Sequence, residues 1–563
     1  MTREITSRTS VEFLKKESKQ WLKSLEAGDA DALDRLRRAL PEYDESEASQ
    51  LTLRTVQHAL AREHGVEGWL ALIGEIENRA RELREIADEV LRNTIYRGDP
   101  SAAARLYVAH PEITTLDFFT AVAAGDLAEV NRRLAADPSS ASRAGGPLNW
   151  APLLYLTHSR LPGSAAHSVE IARALLDHGA DPNSSWNDGW GTSFSALTGA
   201  VALGEGRPPT HERADELVDL LIERGADPCD SQTFYNTSIA GDDAHWLEVL
   251  WSHSERRGVT SAWREVSKKR IGGHRDTSPL DFMLSLAVSY NHARRAEWLL
   301  ARGANANGVQ VYSNIGRRLL DEARVKGNDA VARLLLRHGA ADEPLQGIVA
   351  FQVACRRLDR NEARRLSDSH PEFLRDPEVM LTAARQGRVD VVELLIELGM
   401  DVDVENLMGR ALHSAVAANA LEVVKFLIAH GAEIDRPTEN YGGPLGFAAH
   451  FSRHEIAKVL APLSRDAHSL ATLGMKDRLR ELFTEEPGLA NLVHFRTGQT
   501  PLFFLPNEQA SALEMAKFLV EHGADSRFVD KEGDTPADAA RKRGFNEVAQ
   551  FLTHEAPRGP EQK

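Results

Sequence analysis

The chain has 563 residues, 67 Lys and Arg against 83 Asp and Glu, a net charge of −16 and a 42% hydrophobic share. These values exclude wholesale disorder and disfavour a generic polyanion partner such as the DNA backbone, unless charge is locally segregated. Two distant cysteines, Cys229 and Cys355, exclude a disulfide framework and a cysteine-rich zinc site, and no apolar run approaches the roughly 18 residues of a membrane span.

Residues 1–85 read as four amphipathic helices: VEFLKKESKQWLKSLEAGD, DALDRLRRAL, TLRTVQHALAREHG and VEGWLALIGEIENRARELREI. A polar acidic stretch, PEYDESEASQ (41–50), separates the second from the third. The N-terminus carries no hydrophobic leader core, so no secretory signal is read and a reduced cytoplasmic setting is expected. The expected role of this module is a cap, a polar-faced cover over the first unit of a repeat array.

Downstream a phrase recurs: LLDHGADPN ending at Asn183, LLIERGADP at Pro228, LLARGANAN at Asn307, LLLRHGAAD at Asp342, LLIELGMDVD at Asp403, FLIAHGAEID at Asp435 and FLVEHGADS at Ser526. Each helix can be numbered from the turn before it, taken as position 0. Fifteen segments then share one template, opening at Gly28, Gly98, Gly125, His167, Arg213, Gly241, Asn291, Gly327, Leu358, Gly387, Asn419, Ser452, Gly474, Ser511 and Gly544. Position +8 is Leu in thirteen of them: Leu36, Leu106, Leu175, Leu221, Leu299, Leu335, Leu366, Leu395, Leu427, Leu460, Leu482, Leu519 and Leu552, with Arg133 and Val249 the exceptions. Apolar residues also recur at +4, +5 and +9, which makes one buried stripe on each helix.

Seven units carry Gly at +12 (Gly179, Gly225, Gly303, Gly339, Gly399, Gly431 and Gly523), where a left-handed residue closes a helix and starts a hairpin-like loop. Six carry Pro at +13 instead (Pro41, Pro111, Pro138, Pro371, Pro487 and Pro557), which stops a helix by lacking an amide donor. Upstream of many of these helices stand Ser278-Pro279-Leu280, Ser195-Ala196-Leu197, Arg410-Ala411-Leu412-His413, Gly443-Pro444-Leu445, Thr500-Pro501-Leu502 and Thr535-Pro536-Ala537. A hydroxyl N-cap followed by Pro at N1 opens a helix, so each marks an inner helix preceding the outer one.

An inner helix opening with T-P-L-H or a relative, a tight turn, an outer helix of E-V-V-x-x-L-L type and then G-A-D-x-N resembles the ankyrin repeat. GRVDVVELLIELGMDVD (387–403) and NALEVVKFLIAHGAEID (419–435) look like ordinary members, and EGDTPADAARKRGFNEVAQFL (532–552) like a terminal one. QHALAREHGVEGW (57–69) resembles an element found ahead of many bacterial ankyrin arrays. The resemblance implies an all-α dominated ankyrin solenoid of about 14 repeats of about 33 residues behind the helical cap. Irregular spacing divides it into 1–85 as N-terminal module, 86–344, 345–466 and 467–556 as three ankyrin blocks, and 557–563 as a tail. Gly- and Pro-containing insertions at 160–168, 204–213 and 505–511 read as exposed loops.

Candidate chemistry is sparse. His178, His338, His430 and His522 all stand at +11, where an imidazole meets the negative end of the helix dipole, so they form a row and not a metal cage. YGGPLG (441–446) lacks a preceding strand, His454-Glu455 lacks the second His of HExxH, and no GxxxxGK[ST] or GxSxG occurs. Neither cysteine has an evident His base. No metal, no cofactor and no catalytic residue is read, and the chain is expected not to be an enzyme. The basic stretch 255–275, with Arg256, Arg257, Arg264, Lys268, Lys269, Arg270 and Arg275, reads as a solvated insertion helix, with phosphate binding as its functional alternative.

In ankyrin proteins the hairpin tips and inner helices meet partners, so the resemblance directs attention to aromatic and amide-rich loops. These are SSWNDGWGTS (184–193), TFYNTS (233–238), VYSNIG (311–316), RPTENYGG (436–443) and VHFRTG (493–498). Rigid aromatics supply contact area at small entropic cost, which makes Trp186, Asn187, Asp188, Trp190, Tyr235, Asn236, Tyr312, Asn314, Glu439, Asn440, Tyr441, Phe495 and Arg496 the candidate partner-binding residues. The expected function is a monomeric, non-catalytic scaffold binding another protein or a peptide on its concave face, with no membrane or nucleic-acid partner. An enzyme with its site in the N-terminal module or an inter-block groove, and nucleic-acid binding through 255–275, stand as alternatives.

Overall fold

The structure is a computed structural model that describes residues 3, 9–41, 51–94, 98–188, 192–204, 209–266, 276–312, 316–407, 409–438 and 442–555. Helices dominate it, and two short antiparallel hairpins are the only strand pairs among the described residues: β1 (Ser185–Asn187) with β2 (Ser193–Ser195), and β3 (Glu405–Asn406) with β4 (Gly409–Arg410). The fold is an all-α ankyrin-type repeat array. The chain divides into two compact units, Met1–Ser184 with His211–Leu220, and Ser185–Thr210 with Leu221–Lys563.

The first unit begins with four helices, α1 (Val11–Glu26), α2 (Ala30–Ala39), α3 (Leu53–Glu63) and α4 (Trp69–Asn93). Ser10 starts α1 by accepting the Phe13 amide, and the spacing of Leu14, Ser18, Trp21 and Leu25 puts one stripe into a core shared with Leu36, Leu60 and Leu72. Arg35 on α2 ties three helices together, pairing with Glu17 of α1 at 2.8 Å and Glu63 of α3 at 2.7 Å, with its guanidinium 3.9 Å over the Trp21 ring.

The module therefore has a core of its own, and α4 serves two bodies. Leu72 and Ile76 join the module core; Leu83, Ala87, Val90 and Leu91 are buried in the second half of the helix, which packs on the helices Pro100–Ala109 and Phe118–Ala124. Residues 77–82 between them are exposed on every side. The surface that covers the first repeat is thus the second half of α4 and not the whole module. The boundary expected at residue 85 falls inside a continuous helix.

In the second unit, helix pairs follow one another at the phase expected from sequence. All seven +12 glycines in the chain have positive φ, from 87° to 111°, as a left-handed helix closure requires. Position 0 is left-handed too at Gly327, Gly387, Gly474 and Gly544 and at Asn291, Leu358, Asn419 and Ser452, whereas Gly241 is extended and Ser511 stands inside the helix Gln509–Glu521. At Leu358, with φ 58°, that geometry costs about 1–2 kcal/mol, so the packing around the turn must hold it. All thirteen +8 leucines are buried. At the two exceptions the stripe moves by one residue, to Leu134 beside Arg133 and to Leu250 beside Val249.

Pro111, Pro138, Pro371 and Pro487 each open a short 3-10 helix after their outer helix, which is how the proline-type units end. Ser195, Ser278 and Thr535 cap inner helices through their hydroxyls, as read from sequence, whereas Thr500 opens only a 3-10 turn, Pro501–Phe503. One hydrophobic core runs without interruption from Phe351 to Leu552, so the division expected near 467 is not a break in packing.

Candidate partner-binding surface

The β1–β2 finger is held from within. Trp186 lies opposite Phe194, their rings stacked at 4.6 Å and 14°, and the Asp188 carboxylate accepts the Thr192 amide at 3.2 Å to close the tip. Trp186 is half-buried by this stack and Asn187 is exposed. Trp190, Asn314, and the group Glu439, Asn440 and Tyr441 lie outside the described residues.

The stretch 233–238 is not a loop. Asp230 accepts the Thr233 amide at 2.7 Å and starts the helix Ser231–Ala240, so TFYNTS lies on an inner helix whose polar side chains are consumed internally. Asn236 is buried; its amide nitrogen donates to the Ala202 carbonyl at 3.1 Å and its oxygen accepts from Gln232 at 2.8 Å. It positions the turn at Ala202, where φ is 50°, and faces no partner. Tyr235 is 8% exposed and its hydroxyl meets that of half-buried Tyr312 at 3.0 Å, so this pair joins an inner helix to the next finger.

Phe495 is 60% exposed, Arg496 beside it is exposed, and Leu492, Val493 and Val529 on the same and the following loop also face outward. Leu407, at the tip of β3–β4, is 76% exposed and did not figure among the sequence candidates. Its only sequence signal is the apolar pair Leu407-Met408 between Asn406 and the turn at Gly409. Below that tip, Arg410 braces the finger through Glu405 at 3.0 Å, Asp403 at 3.3 Å and Glu433 at 2.6 Å.

The histidines at +11 are helix caps. His178, His430 and His522 each direct Nδ1 to the carbonyl four residues back, at 2.7, 2.8 and 2.7 Å, and His338 occupies the same helix-end position. Cys355 is buried and its thiol is pushed up to about 12 by burial, the reverse of what a nucleophile requires. Asp530, Glu532 and Asp534 offer carboxylate oxygens within 4.8 Å of one another, but Asp530 accepts the Glu532 and Asp534 amides and the Gln499 side chain, which makes it a loop brace. In the basic stretch, Arg257 donates to the Ala226 carbonyl at 2.7 Å and Arg264 to that of Arg302 at 3.1 Å. The 3-10 turn Thr260–Trp263 is anchored by a fully buried Trp263, while Arg256, Arg257 and Arg264 around it are exposed; Lys268, Lys269, Arg270 and Arg275 lie outside the described residues.

Inner-helix ends carry a second polar system that was not read from sequence. Arg317 pairs with Glu322 at 2.9 Å and with Glu378 at 2.6 Å, Lys326 pairs with Glu322 at 2.7 Å, and Gln352 donates to Asp376 and Glu378 at 3.0 Å. Burial raises the Asp376 carboxyl above its usual range.

Against known proteins, residues 352–438 and 380–470 match the family model for ankyrin repeats in three copies. The ankyrin repeat protein YahD of Escherichia coli (strain K12) is 28% identical over 191 residues, covering 31% of this chain and 94% of that protein. The nuclear factor NF-kappa-B p105 subunit of Gallus gallus is 30% identical over 232 residues, 40% of this chain and 21% of that protein. Among solved structures, the human ASB11 ankyrin repeat domain aligns with 21% identity and a TM-score of 0.24, covering 49% of this chain and 99% of that one.

Proposed function

We propose that this chain, which belongs to the ankyrin-repeat family, is a non-catalytic scaffold that binds another protein or a peptide through its fingers and inner helices. Ankyrin repeats generally mediate protein–protein interaction, and among the described residues no helix is long and apolar enough to cross a membrane. The observation that carries the reading is the exposure of large apolar side chains at finger tips, Leu407 and Phe495 above all, on a chain whose thirteen in-phase leucines are all buried. Such outward apolar groups on rigidly braced loops are the anchors an interface needs, and a receptor that is already ordered loses little entropy on binding. The reading extends to a monomer acting in the cytoplasm, in keeping with two cysteines that form no disulfide.

The test is capture of a partner from native lysate by the full chain, followed by titration of the identified partner. Leu407→Ala and Phe495→Ala together are expected to weaken binding about tenfold or more, with the melting temperature unchanged because neither side chain is in the core. Unaltered affinity in the double variant would remove the fingers from the interface.

A further inference from the structure

We propose that the C-terminal ends of three consecutive inner helices, Leu319–Lys326, Gly347–Arg356 and Glu378–Arg385, form a cationic ledge that docks an acidic, extended segment of the partner. This rests on the scaffold reading and names the chemistry of its ligand. Six cations gather there: Arg324, Lys326, Arg356, Arg357, Arg385 and Arg388. Interlocking hydrogen bonds bring the three ends together. Arg356 Nε donates to the Arg324 carbonyl at 3.0 Å, the Arg388 guanidinium to the Arg356 carbonyl at 3.4 Å, and the Gln386 amide to the Lys326 carbonyl at 2.6 Å. Arg356, Thr382, Gln386 and Arg388 line one small depression between these helices.

The ordinary explanation, cations capping helix carbonyls, accounts for only part of the set. Arg324 pairs with Asp342, Lys326 with Glu322, Arg356 with Asp329 and Arg388 with Asp390. Arg357 and Arg385 are exposed; Arg357 closes its helix through its backbone amide, at 3.0 Å from the Val353 carbonyl, and among the described residues neither guanidinium forms an ion pair. Burial lowers the Arg356 pKa; Asp329 opposes that, and the neighbouring charges of Arg357 and Arg388 add to it. Charge complementarity thus selects an acidic ligand. Neighbouring helices stand about 8–10 Å apart and an extended chain advances about 3.3 Å per residue, so a carboxylate at every third position would meet successive helix ends.

The probe is a fluorescein-labelled 15-residue peptide with Glu at every third position and Gly and Ser elsewhere, titrated by anisotropy into the full chain at 50 mM and 150 mM salt. A matched peptide with Ser for Glu and a 15-nucleotide single-stranded DNA serve as comparisons. The Glu peptide is expected to bind and the Ser peptide not to bind. Arg357→Glu with Arg385→Glu should reduce affinity at least tenfold at an unchanged melting temperature, and Arg357→Lys with Arg385→Lys should stay within about threefold of the parent. Absence of Glu-peptide binding, equal binding by the charge-reversed variant, or tighter binding of the DNA would overturn the ledge. Any of these would leave the scaffold reading intact as long as the Leu407 and Phe495 changes still weaken the captured partner, so the two failures are distinguishable.

Discussion

Trp263→Ala will destabilise the second unit by about 4 kcal/mol, a large part of the 5–15 kcal/mol typical of a folded domain. Trp263 is fully buried, with its ring 4.5 Å from Phe234, 5.3 Å from Trp251 and 6.1 Å from Trp298. Its indole N–H donates to Ser254 at 2.9 Å, and Arg302 lies 3.7 Å over the Trp298 ring. Removing the ring opens a cavity at the junction of an inner helix with two outer helices and orphans the Ser254 contact. Urea unfolding followed by tryptophan fluorescence gives the cost, with the exposed Val266 changed to Ala as the control. A loss below about 1 kcal/mol would mean that the insertion is dispensable to the fold.

The second large effect is expected at Arg317. Arg317→Met takes the bidentate partner from Glu378 and one ion-pair partner from the wholly buried Glu322, which keeps Lys326, at a cost of about 3 kcal/mol. Most of that cost comes from stranded charge, so adding Glu378→Gln should recover part of the loss in the same unfolding measurement. A double variant whose loss equals or exceeds the sum of the two single losses would show that charge pairing is not what the network contributes.

The repeat register was legible because backbone constraint and burial repeat with the same phase. Glycine at +12 answers a left-handed closure, and Leu395, Leu427 and Leu460 are interior in turn because each outer helix offers the same stripe to its neighbours. Position 0 was legible for the same reason, even where Asn419 or Ser452 replaces glycine. Composition misled where polar residues are buried. TFYNTS has the Thr, Asn and Ser content of a loop, yet Asp230 caps it into a helix whose side chains hydrogen-bond within the protein. Trp263 escaped notice because the cationic content of its insertion suggested solvent, while a single aromatic decides where the segment packs. The long α4 was read only as far as residue 86, although nothing in residues 87–93 breaks a helix. The ledge cations were invisible singly, since they come two from each of three repeats and only stacking brings them together. For the candidate surface, Phe495 could be read from sequence, whereas Leu407 needed the β3–β4 turn to reveal its exposure.

Hydrogen–deuterium exchange on the full chain, with and without saturating captured partner, most directly tests binding through the fingers and inner-helix ends. Protection is expected in the finger segments 185–188, 405–407 and 492–499 and at the inner-helix ends around Arg357 and Arg385, with the outer helices Val389–Glu397 and Leu421–Ala429 unchanged. New protection confined to those outer helices, with the fingers exchanging as in the free protein, would contradict it.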